Sequence, residues 1–278
     1  MKFRKFSLNE MNEYDLDDIA ISKLDLTYSN VSSKNKIDLY LPKNVKGNVP
    51  VLVFVHSGGF FKSDKRRHIS ALLNGLLLGY AVASINFRLN DEVLYPDSRK
   101  DAIDALNFLS KQEGIDKDKI VLWGEAYGSY LILDIVSNHL AELELCPCGV
   151  IDMYGATNLV DFHQYKIDTN QELIVRGREN DFNTFGEDFE ILMNESYFLD
   201  SIADCDIPIF IIHGEKDEIC PSRYSRDLEK VLKENNKKYE AHFIKDMGHG
   251  IDDFDKDEYN TLIYNFIKKT LEEVEGNR

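Results

Sequence analysis

Five short apolar runs constrain this chain more than any other feature. Val51-Leu52-Val53-Phe54-Val55 is continuously apolar, and the stretches 80–85, 120–123, 150–154 and 209–212 have the same buried character. A strand that alternates apolar and polar residues keeps one face in water, whereas a run apolar at every position suits a strand covered on both faces. Helical segments at about 97–112, 127–140, 222–235 and 257–273 fall between or after these runs. Strands and helices in that rhythm make a parallel sheet with crossover helices the economical fold. Leu24–Tyr28 and Ile37–Leu41 alternate instead, which predicts half-exposed antiparallel strands ahead of the parallel set. Residues 1–278 read as one domain, since no repeat or linker-like tract divides them.

The balance of 33 basic and 49 acidic residues gives a net charge of −16, which opposes approach to nucleic acid and to anionic membrane surfaces. Met1–Phe6 is basic, but no apolar run of signal-peptide length follows it. Nor is there an uncharged apolar stretch of bilayer length, so a cytoplasmic location is expected. A mature form with its leader removed would give the same sequence. Cys146, Cys148, Cys205 and Cys220 form no C-x-x-C pair and read as incidental or buried thiols. No metal or organic cofactor is implied, and a homo-oligomer is left open.

Trp123-Gly124-Glu125-Ala126-Tyr127-Gly128 has the glycine spacing of a nucleophile elbow, the strand-to-helix turn that lifts a serine hydroxyl clear of a sheet. Alanine occupies the serine position. Three further landmarks accompany it: His56-Ser57-Gly58-Gly59-Phe60, Asp217 within His213-Gly214-Glu215-Lys216-Asp217, and His249 between Gly248 and Gly250. Together they make the chain, from about residue 24 to its end, similar to the α/β-hydrolase superfamily. The resemblance is to its small esterases and lipases of the acetyl esterase and feruloyl-esterase-like kind. It implies a mostly parallel eight-stranded sheet flanked by helices, and a carboxylic ester hydrolase working through an acyl-enzyme.

Acyl transfer needs a nucleophile, a base, a group that orients the base, and donors for the oxyanion. By resemblance these map onto position 126, His249, Asp217, and the backbone amides of Gly58, Gly59 and Tyr127. Asp252, Asp253 and Glu215 compete with Asp217; the first two read as the solvated start of a helix. His56 and His213 stand at strand ends, and the resemblance gives the first a loop-shaping role. Residues 155–207 loosen into an aromatic and charged stretch, which reads as a cap insertion. Phe60, Phe162 and Tyr165 are the candidates for contact with substrate.

A methyl group cannot attack a carbonyl, so the chain as written is expected to lack the covalent step. Ser129, most of a helical turn further on, should point away from the turn, and Ser57 belongs to the opposite wall. Two accounts of the alanine follow. One is an enzyme deliberately inactivated by a Ser-to-Ala change; the other is a natural pseudoenzyme that keeps the pocket for binding. Retention of His249 and Asp217 favours the first. An amidase or peptidase on the same parts is a further alternative, because elbow and triad alone do not separate an ester from an activated amide.

Overall fold

The computed structural model describes residues 2–4, 13–58, 63–89, 92–93, 95–169, 197–250 and 256–276. Two short strands, β1 (Lys2–Arg4) and β2 (Glu13–Asp15), pair antiparallel with each other. The remaining strands build one eight-stranded sheet: β3 (Ala20–Thr27), β4 (Lys36–Pro42), β5 (Val49–Val55), β6 (Ala81–Ile85), β7 (Ile115–Glu125), β8 (Pro147–Met153), β9 (Ile209–Gly214) and β10 (Tyr239–Ile244). Their order across the sheet is β10-β9-β8-β7-β5-β6-β4-β3. Pairing is parallel from β10 through β6 and antiparallel for β6 with β4 and β4 with β3. This is the α/β-hydrolase architecture.

The apolar runs are continuous because each strand feeds two cores. Val51, Val53 and Val55 face one layer, with Leu106 of the Asp97–Leu109 helix, Leu131 of the Tyr127–Asn138 helix and Leu228 of the Arg223–Glu234 helix. Leu52 and Phe54 face the other, with Leu72, Ile263, Phe266 and Ile267, the last three from the Asp257–Gly276 helix. Ile120 and Leu122 against Val121 and Trp123, and Ile209 and Ile211 against Phe210 and Ile212, divide in the same way. Side chains of a strand alternate between its faces, so an unbroken apolar run fills both layers at once.

β4 departs from the half-exposed strand that its alternation predicts. Ile37, Asp38, Leu39 and Tyr40 are all buried. The polar member faces ions in place of water: Asp38 is fully buried, with Arg66 Nε at 2.6 Å and Lys65 Nζ at 3.6 Å. Asp25, on the neighbouring strand at a register shift, completes the cluster, with Lys65 at 2.6 Å and Arg66 at 2.8 Å. A sequence pattern cannot distinguish a charge facing water from one facing a buried partner. The cluster ties residues 65–66, which lead toward His68, to the antiparallel end of the sheet.

Asp38→Ala leaves the buried Lys65 without half of its partners. Loss of one member of a buried ion pair costs about 3 kcal/mol or more. The urea midpoint of the variant should therefore fall well below that of the parent at unchanged m-value.

Candidate active site

β7 ends at Glu125, and the next helix begins at Tyr127, so Ala126 alone makes the turn. Its backbone lies at φ 47°, ψ −111°, a conformation that L-residues rarely adopt. The turn is held from both sides: Ala126 N–H donates to Met153 O at 2.9 Å, and Tyr130 N–H donates to Ala126 O at 3.1 Å. The flanking glycines allow the close crossing. A Cβ on Gly128 would lie 2.0 Å from the Val55 carbonyl oxygen, and one on Gly124 would lie 2.5 Å from the Ser129 backbone. Tyr127 is the first residue of a twelve-residue helix, so its N–H belongs to the helix's N-terminal donors, where the macrodipole favours negative charge.

Ser129 is occupied elsewhere. Its hydroxyl donates to Gly124 O at 2.7 Å and accepts from Met153 N at 3.0 Å, fully buried beneath the turn.

Asp217 and His249 come from the loops after β9 and β10, which are neighbouring parallel strands in register. The two loops grip each other through Lys216 N–H to Met247 O at 2.9 Å and Glu215 N–H to Ile244 O at 2.9 Å. His249 Nδ1 lies 2.6 Å from Asp217 Oδ2. A carboxylate on Nδ1 places the ring proton there and leaves Nε2 as the basic nitrogen. The other oxygen, Oδ1, accepts from the amides of Ile219 (2.9 Å) and Cys220 (2.8 Å). Burial works to raise the Asp217 pKa, but hydrogen bonds from His213, His249 and the Cys220 amide outweigh it and hold the carboxyl at about 2. Of the rivals to Asp217, Glu215 pairs with Arg226, while Asp252 and Asp253 lie outside the described residues.

Three groups beside the turn carry no motif that marks them in the sequence. Glu125, immediately before Ala126, is fully buried, and burial raises its pKa. His68 Nδ1 lies 3.2 Å from Glu125 Oε2, while Arg67 Nε donates to the opposite nitrogen at 3.2 Å. The arginine can only donate, so the His68 proton sits on Nδ1 and points to the carboxylate. Tyr154, just past β8, sets its ring edge-on to His249 at 4.8 Å between centroids. Met153 and Tyr154 therefore connect Ala126 to His249: one holds the turn and the next packs against the imidazole.

His56 closes β5. It is buried, stacked on Phe87 at 4.5 Å, with Nδ1 2.5 Å from Ser57 O. Burial lowers its pKa to about 4, so the ring is neutral at pH 7 and donates from Nδ1 to the start of the loop. Gly58 follows at φ 150°. Gly59 and Phe60 lie outside the described residues, as do residues 170–196 of the expected cap.

Of the remaining candidates, Phe162 is buried against Tyr224, with the Lys166 ammonium 4.8 Å from its ring. Tyr165 donates its hydroxyl to Glu218 O at 2.8 Å, one residue beyond Asp217, and Arg223 lies over its ring. Among the described residues no group of three or more His, Cys, Asp or Glu is arranged to hold a metal ion, and no helix is long and apolar enough to cross a membrane.

Two measurements follow from these local energies. A strained non-glycine turn of this kind costs roughly 1–3 kcal/mol. Ala126→Gly should relieve part of it and raise Tm by a few degrees; an unchanged or lower Tm contradicts the strain. His56 has a folded pKa of about 4 against 6.5 for the free side chain, so between those values the unfolded chain binds the proton more tightly. Stability therefore falls as pH drops from 6.5 towards 4, by about 2 kcal/mol at pH 5 from this residue. In His56→Asn, which keeps a donor for Ser57 O, the shift in urea midpoint between pH 7 and pH 5 should shrink accordingly.

Comparison with known proteins gives the family and the fold. Residues 37–232 match the family model described as BD-FAE. A probable isoprenylcysteine alpha-carbonyl methylesterase of Arabidopsis thaliana is 27% identical over 223 residues, covering 72% of this chain and 45% of its own. Esterase LipQ of Mycobacterium tuberculosis is 24% identical over 232 residues, covering 77% and 53%. The chain thus spans about half the length of the curated relatives it matches. Among solved structures, esterase B from Lactobacillus rhamnosis superposes with a TM-score of 0.77 at 18% identity, covering 94% of this chain and 89% of that one. A truncated carbohydrate esterase from gut microbiota gives 0.74 at 21% identity, covering 92% and 98%.

Proposed function

We propose, on the premise that this chain belongs to the BD-FAE family, that it is a carboxylic ester hydrolase of the serine type whose nucleophile position is filled by alanine. One observation carries the reading: residue 126 keeps the strained turn at φ 47°, ψ −111°, while the Asp217–His249 pair at 2.6 Å stays intact. A turn that costs free energy has a use when it presents a nucleophile to an imidazole.

With serine at 126 the steps are those of acyl transfer. His249 Nε2 takes the proton from Oγ as Oγ attacks the ester carbonyl carbon. Asp217 stabilises the imidazolium through Nδ1–H. The Tyr127 amide at the helix start, with amides of the loop after His56, receives the charge that develops on the carbonyl oxygen. The C–O bond to the alcohol breaks and the alcohol leaves with the proton from His249. Water then attacks the acyl-enzyme with the same base, releasing the acid. With Ala126 in place there is no hydroxyl to begin this sequence, so the chain binds an ester and does not form the acyl-enzyme. The reading of Ala126 as a change from serine is supported by the polar residues that remain around it.

Small soluble esters are the substrate class, and the methylesterases among the relatives make methyl esters the first alcohol part to try beside short-chain aryl esters. Ala126→Ser should gain turnover over the parent by several orders of magnitude, within the roughly millionfold span that loss of a triad member covers. Adding His249→Ala should abolish the gain. Saturable ester binding in both proteins, with no His249-dependent turnover on any ester, would falsify the enzyme reading and leave a binding module.

A further inference from the structure

We propose that His213 is a positioning residue of this site: a second imidazole on the Asp217 carboxylate that fixes the oxygen to which His249 is bonded. The catalytic consequence rests on the esterase reading above; the geometry does not.

His213 is the fifth residue of β9 and is wholly buried. Its Nε2 lies 3.2 Å from Asp217 Oδ2, the same oxygen that His249 Nδ1 approaches at 2.6 Å, and 2.7 Å from Cys220 O. Two acceptors on one nitrogen require that nitrogen to carry the proton. Its Nδ1 lies 2.7 Å from Ser225 Oγ, a buried hydroxyl on the Arg223–Glu234 helix. Ser225 in turn lies 3.4 Å from Oδ2 of the buried Asp152, whose Oδ1 accepts from Gly155 N at 3.0 Å. Both nitrogens of His213 are thus anchored, one by a helix and one by the acid loop.

The two loop amides on Oδ1 hold one oxygen of Asp217 and leave the carboxyl able to rock about its Cβ–Cγ bond. The wholly buried His213 supplies a second contact on Oδ2 beside that of the half-buried His249. A shared acceptor held by a second donor keeps its direction while His249 gains and loses a proton. The His213 bond is also the longer of the two, so the anchor leaves the shorter bond to His249.

The test separates the hydrogen bond from the ring. His213→Gln retains a donor near the place of Nε2, and His213→Phe retains a ring of similar bulk without a donor. Each is made in the parent and in the Ala126→Ser background, with Ser225→Ala as a milder companion. In the parent, imidazole ¹⁵N labelling reads the His249 Nδ1–H resonance and tautomer. In the serine background, kcat and KM are measured separately.

Phe at 213 should broaden or erase the His249 Nδ1–H signal and lower kcat by roughly tenfold to a hundredfold with KM little changed, the order expected for losing a hydrogen bond to a charged group. Gln should keep most of both, and Ser225→Ala should weaken both in the same direction as Phe. A folded Phe variant with the parent's signal and kcat overturns the proposal, as does equal damage from Gln and Phe. If neither His213 variant folds, an unchanged His249 signal in Ser225→Ala overturns it, and a weakened one supports it. Should Ala126→Ser show no turnover, the esterase reading falls alone, and the ¹⁵N result in the parent decides the role of His213.

Discussion

The site is organised around a charge in a place that disfavours it. Asp217 has no solvent contact through its side chain, and burial alone would favour the neutral acid. Four donors answer this: two loop amides on one oxygen, two imidazoles on the other. A buried carboxylate that loses such partners protonates, and a protonated acid orients an imidazole poorly. The loops after β9 and β10, their mutual backbone bonds and the buried Ser225 are therefore parts of one arrangement that keeps Asp217 ionised.

The turn at Ala126 is the second constraint, and it is steric. The helix after β7 must cross so close to the end of β5 that only glycine fits at 128, with the Val55 carbonyl where a Cβ would be. That crossing forces residue 126 into its unusual backbone, whatever its side chain. Conformational strain of this kind persists only where the surroundings over-determine it, and here Met153 O and Tyr130 N–H hold residue 126 from both sides. The same tightness explains why the hydroxyl of Ser129 is spent on backbone groups below the turn. It has no freedom to reach the apex of the turn.

Much of the fold was legible before any coordinates. Mostly apolar runs marked β5 to β9, broken only by the buried Ser84 and Asp152, because a strand between two layers needs both faces covered. β4 was legible as a strand but not in its surroundings, since Asp38 meets Arg66, which lies 28 residues further along the chain, and its neighbour Lys65. At the site, glycine spacing drew attention to 126 and the strand-end positions to Asp217 and His249. Glu125, His68 and Tyr154 carried no such signal. Their types are ordinary, and their meeting beside the turn depends on where the end of one strand and two separate loops land.

Sequence by itself determined the order of strands and helices, the turn that only flanking glycines permit, and the absence of a hydroxyl at its apex. These are local matters: each follows from residues a few positions apart. Tertiary structure decided which side chains share Asp217, which histidine is anchored at both nitrogens, and which acid lies buried behind residue 126. Parallel pairing places the ends of β7, β8, β9 and β10 side by side although they lie up to 119 residues apart. Contacts between loops at those ends arise from sheet order, which no short window of residues contains.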